Sequence, residues 1–98
     1  MEVEFKDADL RRLFEDARFD GGRSRAVVRA YRKRVTSIKA AVDERDIRAV
    51  KGNHFEKLAG KEGEYSIRLN KQWRLILAFQ TRNGIKTVVL LRIADYHR

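Results

Sequence analysis

The 98-residue chain contains no cysteine and no proline, and only six glycines. Without cysteine, the chain has no disulfides, no thiolate metal ligands and no thiol nucleophile. This fits a reducing compartment, and we expect a cytoplasmic protein. The lack of proline and the few glycines argue against linkers and low-complexity segments. A chain of this length typically forms one domain, which we predict to span residues 1–98.

Long hydrophobic runs and cofactor motifs are also missing. The apolar runs are too short to cross a bilayer, and the acidic start MEVEFKDADL lacks the apolar segment of a secretory signal. The two histidines, His54 and His97, do not form a zinc-binding motif. Phosphate-binding glycine loops and the G-x-S-x-G motif of serine hydrolases are absent. We therefore expect no metal, no cofactor and no membrane partner.

Basic charge is the strongest feature of the composition. The chain has 23 Lys and Arg against 14 Asp and Glu, a net charge of +9. Residues 1–20 are net acidic at −3, so residues 21–98 carry +12. A strongly basic single domain favours a polyanionic partner, most often a nucleic acid. A basic surface that meets an acidic protein is the alternative.

Helical periodicity dominates the first half of the chain. Residues 1–5 alternate as in a short strand, and Asp7 is a candidate N-cap for a first helix. The glycines of FDGGRS end that helix, and Ser24 is a candidate cap for the next one. Residues 25–42 carry apolar side chains at steps of three and four, which predicts a long amphipathic helix.

The polar surface of this second helix is unusually basic. Seven basic residues and no acid lie from Arg23 to Lys39. A charged helix face is usually just solvated, but like charges this close repel one another slightly. A phosphate backbone would relieve that repulsion. We therefore predict that the helix contacts RNA, through Arg29, Arg32 and Lys33.

After a predicted connector over residues 43–60, the hydrophobic pattern changes to period two. This pattern predicts three strands, EYSIRLN, WRLILAFQ and IKTVVLLRIADYH. The turn NKQ separates the first two, and the Asn83-Gly84 hairpin signal separates the last two. In the last strand we predict one face from residues 85, 87, 89, 91 and 93, with Val88 and Leu90 opposite. The element order predicts an α+β domain, with two N-terminal helices on one face of a small, mostly antiparallel sheet.

Two arginines and the end of the last strand are the candidates for chemistry. Arg68 and Arg74 lie on strands joined by the NKQ turn, so their guanidinium groups can converge on a phosphodiester. Asp95 and His97 point to one side of the last strand and Tyr96 to the other. If that strand pairs beside the strand of Arg74, these groups reach the same cleft.

Such a set can cleave RNA without a metal. A base takes the proton of a ribose 2′-OH, the oxygen attacks the adjacent phosphate, and an acid protonates the leaving 5′-oxygen. Histidine suits acid–base catalysis at neutral pH. Each residue also has a purely structural interpretation: a solvated His97, solvent-facing arginines, and a Tyr96 ring that closes the edge of the core.

The segment YSIRLNKQWRLILAF is followed some fifteen residues later by ADYH. In these two segments the chain resembles the HigB-type toxins of the RelE superfamily, which belong to bacterial type II toxin–antitoxin systems. The family core, aromatic-Ser-φ-Arg-φ-Asn-x-x-Trp-Arg-φ, is matched from Tyr65 to Leu75. An upstream φ-x-x-Leu-x-Gly element is matched by Phe55, Leu58 and Gly60, and the terminal Asp-Tyr-His by residues 95–97. The resemblance covers roughly residues 25–98.

The resemblance implies a RelE-like fold, ribosome-dependent cleavage of mRNA, and neutralisation by a helix-turn-helix, HigA-like antitoxin. It makes Asp95, Tyr96 and His97 the catalytic end of the chain and Arg74 a phosphate or transition-state ligand. Arg68 and Lys71 are expected to contact the RNA, although a structural role for Arg68 is equally possible.

The sequence departs from the family at one position. Some members have a catalytic histidine where this chain has Glu56, and His54 lies two residues earlier. In an extended segment these two side chains share a side, so the acid–base role is open between them. Two other functions also remain open: poisoning of DNA gyrase, as in relatives of the ParE type, and RNA binding without catalysis.

Overall fold

The computed structural model describes residues 1–96, so the predicted catalytic His97 lies outside the described part of the chain. Within residues 1–96 the chain forms an α+β fold, as predicted, with three α-helices, a short 3-10 helix and five strands. The 3-10 helix is Lys51–Asn53. The other elements in chain order are β1 (Glu2–Phe5), α1 (Ala8–Glu15), α2 (Arg25–Ala40), α3 (Glu44–Ala49), β2 (Glu56–Lys57), β3 (Tyr65–Arg68), β4 (Trp73–Arg82) and β5 (Ile85–Asp95).

The five strands form one sheet in the order β1-β5-β4-β3-β2. Neighbours from β5 to β2 run antiparallel, and β1 pairs parallel to β5. The predicted hairpin turn is confirmed, because Asn83 and Gly84 have φ angles of 52° and 77°. Two successive left-handed residues are what a type I′ turn requires. The prediction of a mostly antiparallel sheet is thus also confirmed.

Local capping signals determine where the helices begin. The carboxylate of Asp7 accepts a hydrogen bond from the N–H of Leu10 (2.8 Å), and the hydroxyl of Ser24 accepts one from Val27 (3.2 Å). Both predicted N-caps are therefore confirmed. The second helix ends at Ala40, two residues earlier than predicted.

The predicted connector over residues 43–60 contains a helix that the sequence pattern did not indicate. Asp43 caps α3 by accepting a hydrogen bond from the N–H of Arg45 (2.9 Å). Only Ile47 of its six residues is buried, so the hydrophobic pattern is too short to show a helical period.

The predicted faces of the last strand are correct up to Leu90 and wrong beyond it, because the strand contains a bulge. The pairing with β4 steps from Ile76↔Arg92 to Leu77↔Leu90, which leaves Leu91 without a register partner. One extra residue reverses the alternation beyond it. Val88, Leu90 and Ile93 therefore share the main core.

Helices and strands contribute to one hydrophobic core. Buried members include Leu10 and Leu13 of α1, Tyr31 of α2, and Leu75 and Leu77 of β4. The Tyr31 hydroxyl donates a buried hydrogen bond to the carbonyl of Leu10 (2.7 Å), which ties α1 to α2. Burial raises the pKa of Tyr31, so the phenol remains a neutral donor. Placement of α1 and α2 on the same face of the sheet stays a prediction.

None of the helices described in residues 1–96 is long and apolar enough to span a bilayer.

Candidate active site

One face of the sheet brings together four of the side chains that the sequence singled out, those of Glu56, Arg68, Arg74 and Tyr96. Arg68 lies directly across from Arg74 in the β3–β4 register, and Glu56 lies across from Ser66 in the β2–β3 register. Because alternate residues share a face, these four side chains lie on the same side. Tyr96 joins them from the end of β5, the strand next to β4. We call Glu56, Ser66, Arg68, Arg74 and Tyr96 the Arg74 site.

Arg74 is the centre of this site and is only 5% exposed. Its Nε donates to the hydroxyl of Ser66 (2.9 Å), and its Nη2 donates to the carbonyls of Ser66 (3.4 Å) and His54. The guanidinium carbon lies 5.0 Å from the ring centroid of Tyr96. Within residues 1–96, Nη1 has no hydrogen-bond partner. The contacts fix the plane of the guanidinium and leave one edge of it for an anion.

The groups around Arg74 shift its pKa in opposite directions. Burial lowers the pKa of Arg74, and the like charge of Arg68 lowers it further. The acidic groups of Glu56 and Tyr96 raise it. Arginine normally titrates far above neutral pH, so the side chain stays charged at physiological pH. The site therefore holds a largely desolvated cation, which attracts anions more strongly than an exposed arginine.

Glu56 and Tyr96 meet beside this cation. The Tyr96 hydroxyl donates to Oε2 of Glu56 across 3.3 Å, although the residues lie 40 positions apart. The two-residue strand β2 holds Glu56 by pairing with β3, and the N–H of Tyr96 donates to the carbonyl of Gln72 (2.6 Å). A carboxylate, a phenol and a buried guanidinium thus share one small area of the sheet.

The structure places His54 differently from the sequence expectation. The segment 54–56 is not extended at His54, because this residue has a left-handed backbone (φ 43°, ψ 54°) and ends the 3-10 helix. Its backbone carbonyl accepts from Arg74, and its side chain is exposed. Because the left-handed backbone turns the chain there, the alternation that would align His54 with Glu56 does not apply.

Asp95 and Tyr96 point to opposite sides, as the alternation predicts. Asp95 lies across from Trp73, whose side chain faces away from that of Arg74. Its Oδ2 accepts from Nε2 of Gln72 (3.1 Å), which ties the end of β5 to the turn before β4. Lys71 is exposed in that same turn.

The three RNA-binding candidates of α2 differ in their surroundings. Arg29 and Lys33 are exposed, but Arg32 is half-buried. Nε of Arg32 donates to the carbonyl of Leu13 (2.9 Å), and its Nη2 donates to those of Asp16 (3.0 Å) and Phe19 (3.1 Å). Arg32 therefore satisfies carbonyls at the end of α1 and just beyond it.

Separate replacements of the neighbours Arg32 and Lys33 should distinguish a residue that stabilises the fold from one that only adds surface charge. Arg32→Met should lower the free energy of unfolding by about 2 kcal/mol, because its charge-assisted hydrogen bonds are lost. Lys33→Met should change it by less than about 0.5 kcal/mol. Urea denaturation of both variants measures the difference. Equal stabilities would show that the Arg32 contacts contribute nothing.

Sequence reasoning missed two parts of the site. Ser66 and the His54 carbonyl both hold Arg74, yet neither was a candidate. The Ser-φ-Arg spacing did contain a signal for Ser66, since it places Ser66 and Arg68 on one face. A backbone carbonyl carries no signal in the side-chain sequence. The described residues also contain no group of three or more His, Cys, Asp or Glu side chains that could hold a metal ion.

Comparisons with known proteins agree with one another. A HigB-like toxin family model, described as a RelE-like toxin of the type II toxin–antitoxin system HigB, matches residues 3–97. Toxin HigB-1 of Vibrio cholerae serotype O1 is 38% identical over 86 residues, covering 87% of this chain and 88% of that protein. The solved YoeB/ParE toxin from Agrobacterium tumefaciens has a similar fold, with a TM-score of 0.63 at 12% identity, over 99% of this chain and 100% of that one. The chain therefore belongs to the HigB-like family of RelE-like toxins from type II toxin–antitoxin systems.

Proposed function

We propose that this toxin is a metal-independent endoribonuclease that cleaves mRNA on the ribosome and so stops translation and growth. The observation that carries the proposal is the Arg74 site, in which a buried cation lies against Glu56 and Tyr96. A fixed cation stabilises the charge that develops on a phosphate during attack. A carboxylate and a phenol beside it supply groups that accept and donate protons.

In the proposed reaction a ribose 2′-oxygen attacks the adjacent phosphorus while a base takes its proton. The bond from phosphorus to the 5′-oxygen breaks, and an acid protonates that oxygen. The products are a 2′,3′-cyclic phosphate and a 5′-hydroxyl. Arg74 binds the phosphate oxygens through Nη1, the edge that its other contacts leave open, and Arg68 adds positive charge across the strand pair.

We assign proton transfer to the groups nearest this cation. Glu56 is the favoured base, since its carboxylate lies in the site while the His54 imidazole belongs to an exposed turn. Tyr96 orients Glu56 through their hydrogen bond. His97 is the proposed acid that protonates the 5′-oxygen. Asp95 and Gln72 position the strand end that leads to it.

The toxin–antitoxin family implies a cognate antitoxin. We propose that this antitoxin is a HigA-like, helix-turn-helix protein, and that toxin and ribosome meet in the cytoplasm. The net charge of +9 supports docking on ribosomal RNA, whose backbone is a dense array of phosphates.

A cellular experiment tests ribosome dependence. The 5′ ends of two reporter mRNAs are mapped after induction of the toxin; the two differ only in whether a ribosome-binding site precedes the coding sequence. We expect new 5′ ends within the translated reporter and none in its untranslated counterpart. Equal cleavage of both would contradict ribosome dependence. Intact mRNA together with inhibition of DNA supercoiling would instead support a gyrase poison.

A further inference from the structure

A second cationic site lies away from the Arg74 site, where α1 connects to α2. An open cavity of about 430 Å³ is formed by the turn after α1 and the first two turns of α2. Five of its lining residues are arginines and one, Asp20, is an acid. We call it the arginine pocket, and its arginines are Arg18, Arg23, Arg25, Arg29 and Arg32.

Four arginines of this pocket have no ion-pair partner in the described chain. Within residues 1–96, Arg18, Arg23, Arg25 and Arg29 form no ion pair with a carboxylate. The carboxylate of Asp20 accepts from the N–H of Gly22 (2.8 Å), which fixes it in its own turn. Elsewhere in residues 1–96, six arginines do form ion pairs: Arg11, Arg12, Arg45, Arg48, Arg82 and Arg92.

The distribution of charge along the helices points the same way. The first turns of α1 and α3 carry acids, Asp9 in one and Glu44 and Asp46 in the other, as the positive end of a helix dipole favours. The first turn of α2 carries none, and Arg25 opens the helix. Clustered arginines there repel one another and the helix end. An anion bound in the pocket would remove both penalties.

Arginine composition indicates the chemistry of that anion. Guanidinium groups bind phosphate oxygens in pairs of parallel hydrogen bonds, which lysine cannot do. Arg32 is held by three carbonyls and forms a fixed wall, so four arginines remain to contact a ligand. With the negative charge of Asp20 subtracted, these four arginines still exceed the charge of one phosphate and suit a run of successive phosphodiesters.

The pocket is distinct from the Arg74 site but lies near the same end of the sheet. The Arg23 guanidinium lies 5.3 Å from the ring of Trp73, whose side chain faces away from that of Arg74. Trp73 in turn pairs with Asp95, next to Tyr96. A long RNA or a ribosomal RNA segment can therefore occupy the pocket while another part of the substrate lies at Arg74.

We propose that the arginine pocket binds the phosphodiester backbone of RNA at a position separate from the cleavage point. This inference rests on the proposed function in taking RNA as the ligand. It replaces the RNA contacts predicted for α2, Arg29, Arg32 and Lys33, with Arg25 and Arg29 at the start of the helix. Arg32 becomes a wall of the pocket rather than a direct contact.

Direct binding measurements test the pocket without any cleavage step. The test variant is Arg25→Gln with Arg29→Gln, and the matched control is Arg11→Gln with Arg48→Gln, which removes two exposed, ion-paired arginines. One probe is a fluorescent single strand of 2′-O-methyl RNA, which cannot undergo 2′-OH attack. The other is a vacant ribosome without mRNA. Affinities are measured over a series of salt concentrations.

The pocket variant should bind about tenfold more weakly near 0.15 M salt, and its salt slope should fall by about 1.4, for two lost phosphate contacts. The control should lose less than about threefold. A loss with the single strand identifies mRNA as the ligand, and a loss confined to ribosomes identifies ribosomal RNA. If the pocket variant and the control bind both probes with equal affinity, the proposal is overturned. The same holds if the pocket variant loses affinity for the antitoxin but keeps its affinity for both RNA probes. Because no cleavage is measured, this outcome is separable from failure of the proposed function.

Discussion

Replacement of Arg74 by lysine should lower the rate of ribosome-dependent mRNA cleavage by about 10²-fold. Lysine keeps the positive charge but loses the planar fork that Ser66 and His54 hold in place. Removal of one preorganised donor from a developing oxyanion typically costs about 10²–10³-fold. The measurement is the single-turnover cleavage rate on ribosome–mRNA complexes at saturating toxin. The loss should appear in this rate rather than in affinity for the ribosome.

Arg92→Gln is the matched control for this variant. Arg92 is exposed and forms an ion pair with Glu64 (2.8 Å), whose pKa is lowered chiefly by their hydrogen bond. Its loss should change the cleavage rate by less than about threefold. Thermal denaturation and antitoxin binding establish that both variants are folded. If Arg74→Lys cleaves as fast as Arg92→Gln, then Arg74 does not act on the transition state.

Removal of the Glu56 carboxylate should have a comparable effect. Glu56→Gln keeps the shape of the side chain but cannot take a proton, and a positioned base contributes about 10²–10⁴-fold. Tyr96→Phe should cost on the order of tenfold, because it removes the hydrogen bond that orients Glu56. The double variant should be little worse than Glu56→Gln alone, since the two residues act as one unit.

A double-mutant cycle of cleavage rates checks this coupling. Glu64→Gln serves as the control, because it removes a carboxylate that is paired with Arg92 outside the Arg74 site. Multiplicative losses from Glu56→Gln and Tyr96→Phe would show that the two residues act independently. A fully active Glu56→Gln variant would return the base role to a histidine.

Local signals in the sequence were enough to predict much of the fold. Asp7 and Ser24 cap helices, and Asn83-Gly84 forms a hairpin turn, because each depends on a few adjacent residues. The α3 helix was missed because six residues with one buried position show no period. The bulge at Leu91 was missed because it lies at the end of an unbroken apolar run, residues 88–91, where one extra residue does not alter the hydrophobic pattern.

The candidate site was predictable in part for similar reasons. The short turn before β4 was enough to predict that Arg68 and Arg74 lie on neighbouring strands, and the register places them directly across from each other. The expected pairing of the last strand beside β4 is also confirmed, and it brings Tyr96 against Arg74. The contact between Glu56 and Tyr96 depends on a two-residue strand and spans 40 positions. No local pattern contains that information.

The measurement that tests the central claim most directly is the chemistry of the RNA ends. Purified toxin is mixed with ribosomes programmed with a defined mRNA, and the fragments are analysed by mass spectrometry. The wild type should yield a 2′,3′-cyclic phosphate and a 5′-hydroxyl at a cut within the ribosome-bound segment. Arg74→Lys should yield the same ends about 10²-fold more slowly. Intact mRNA, or fragments that end in a 5′-phosphate and a 3′-hydroxyl, would contradict the proposed mechanism.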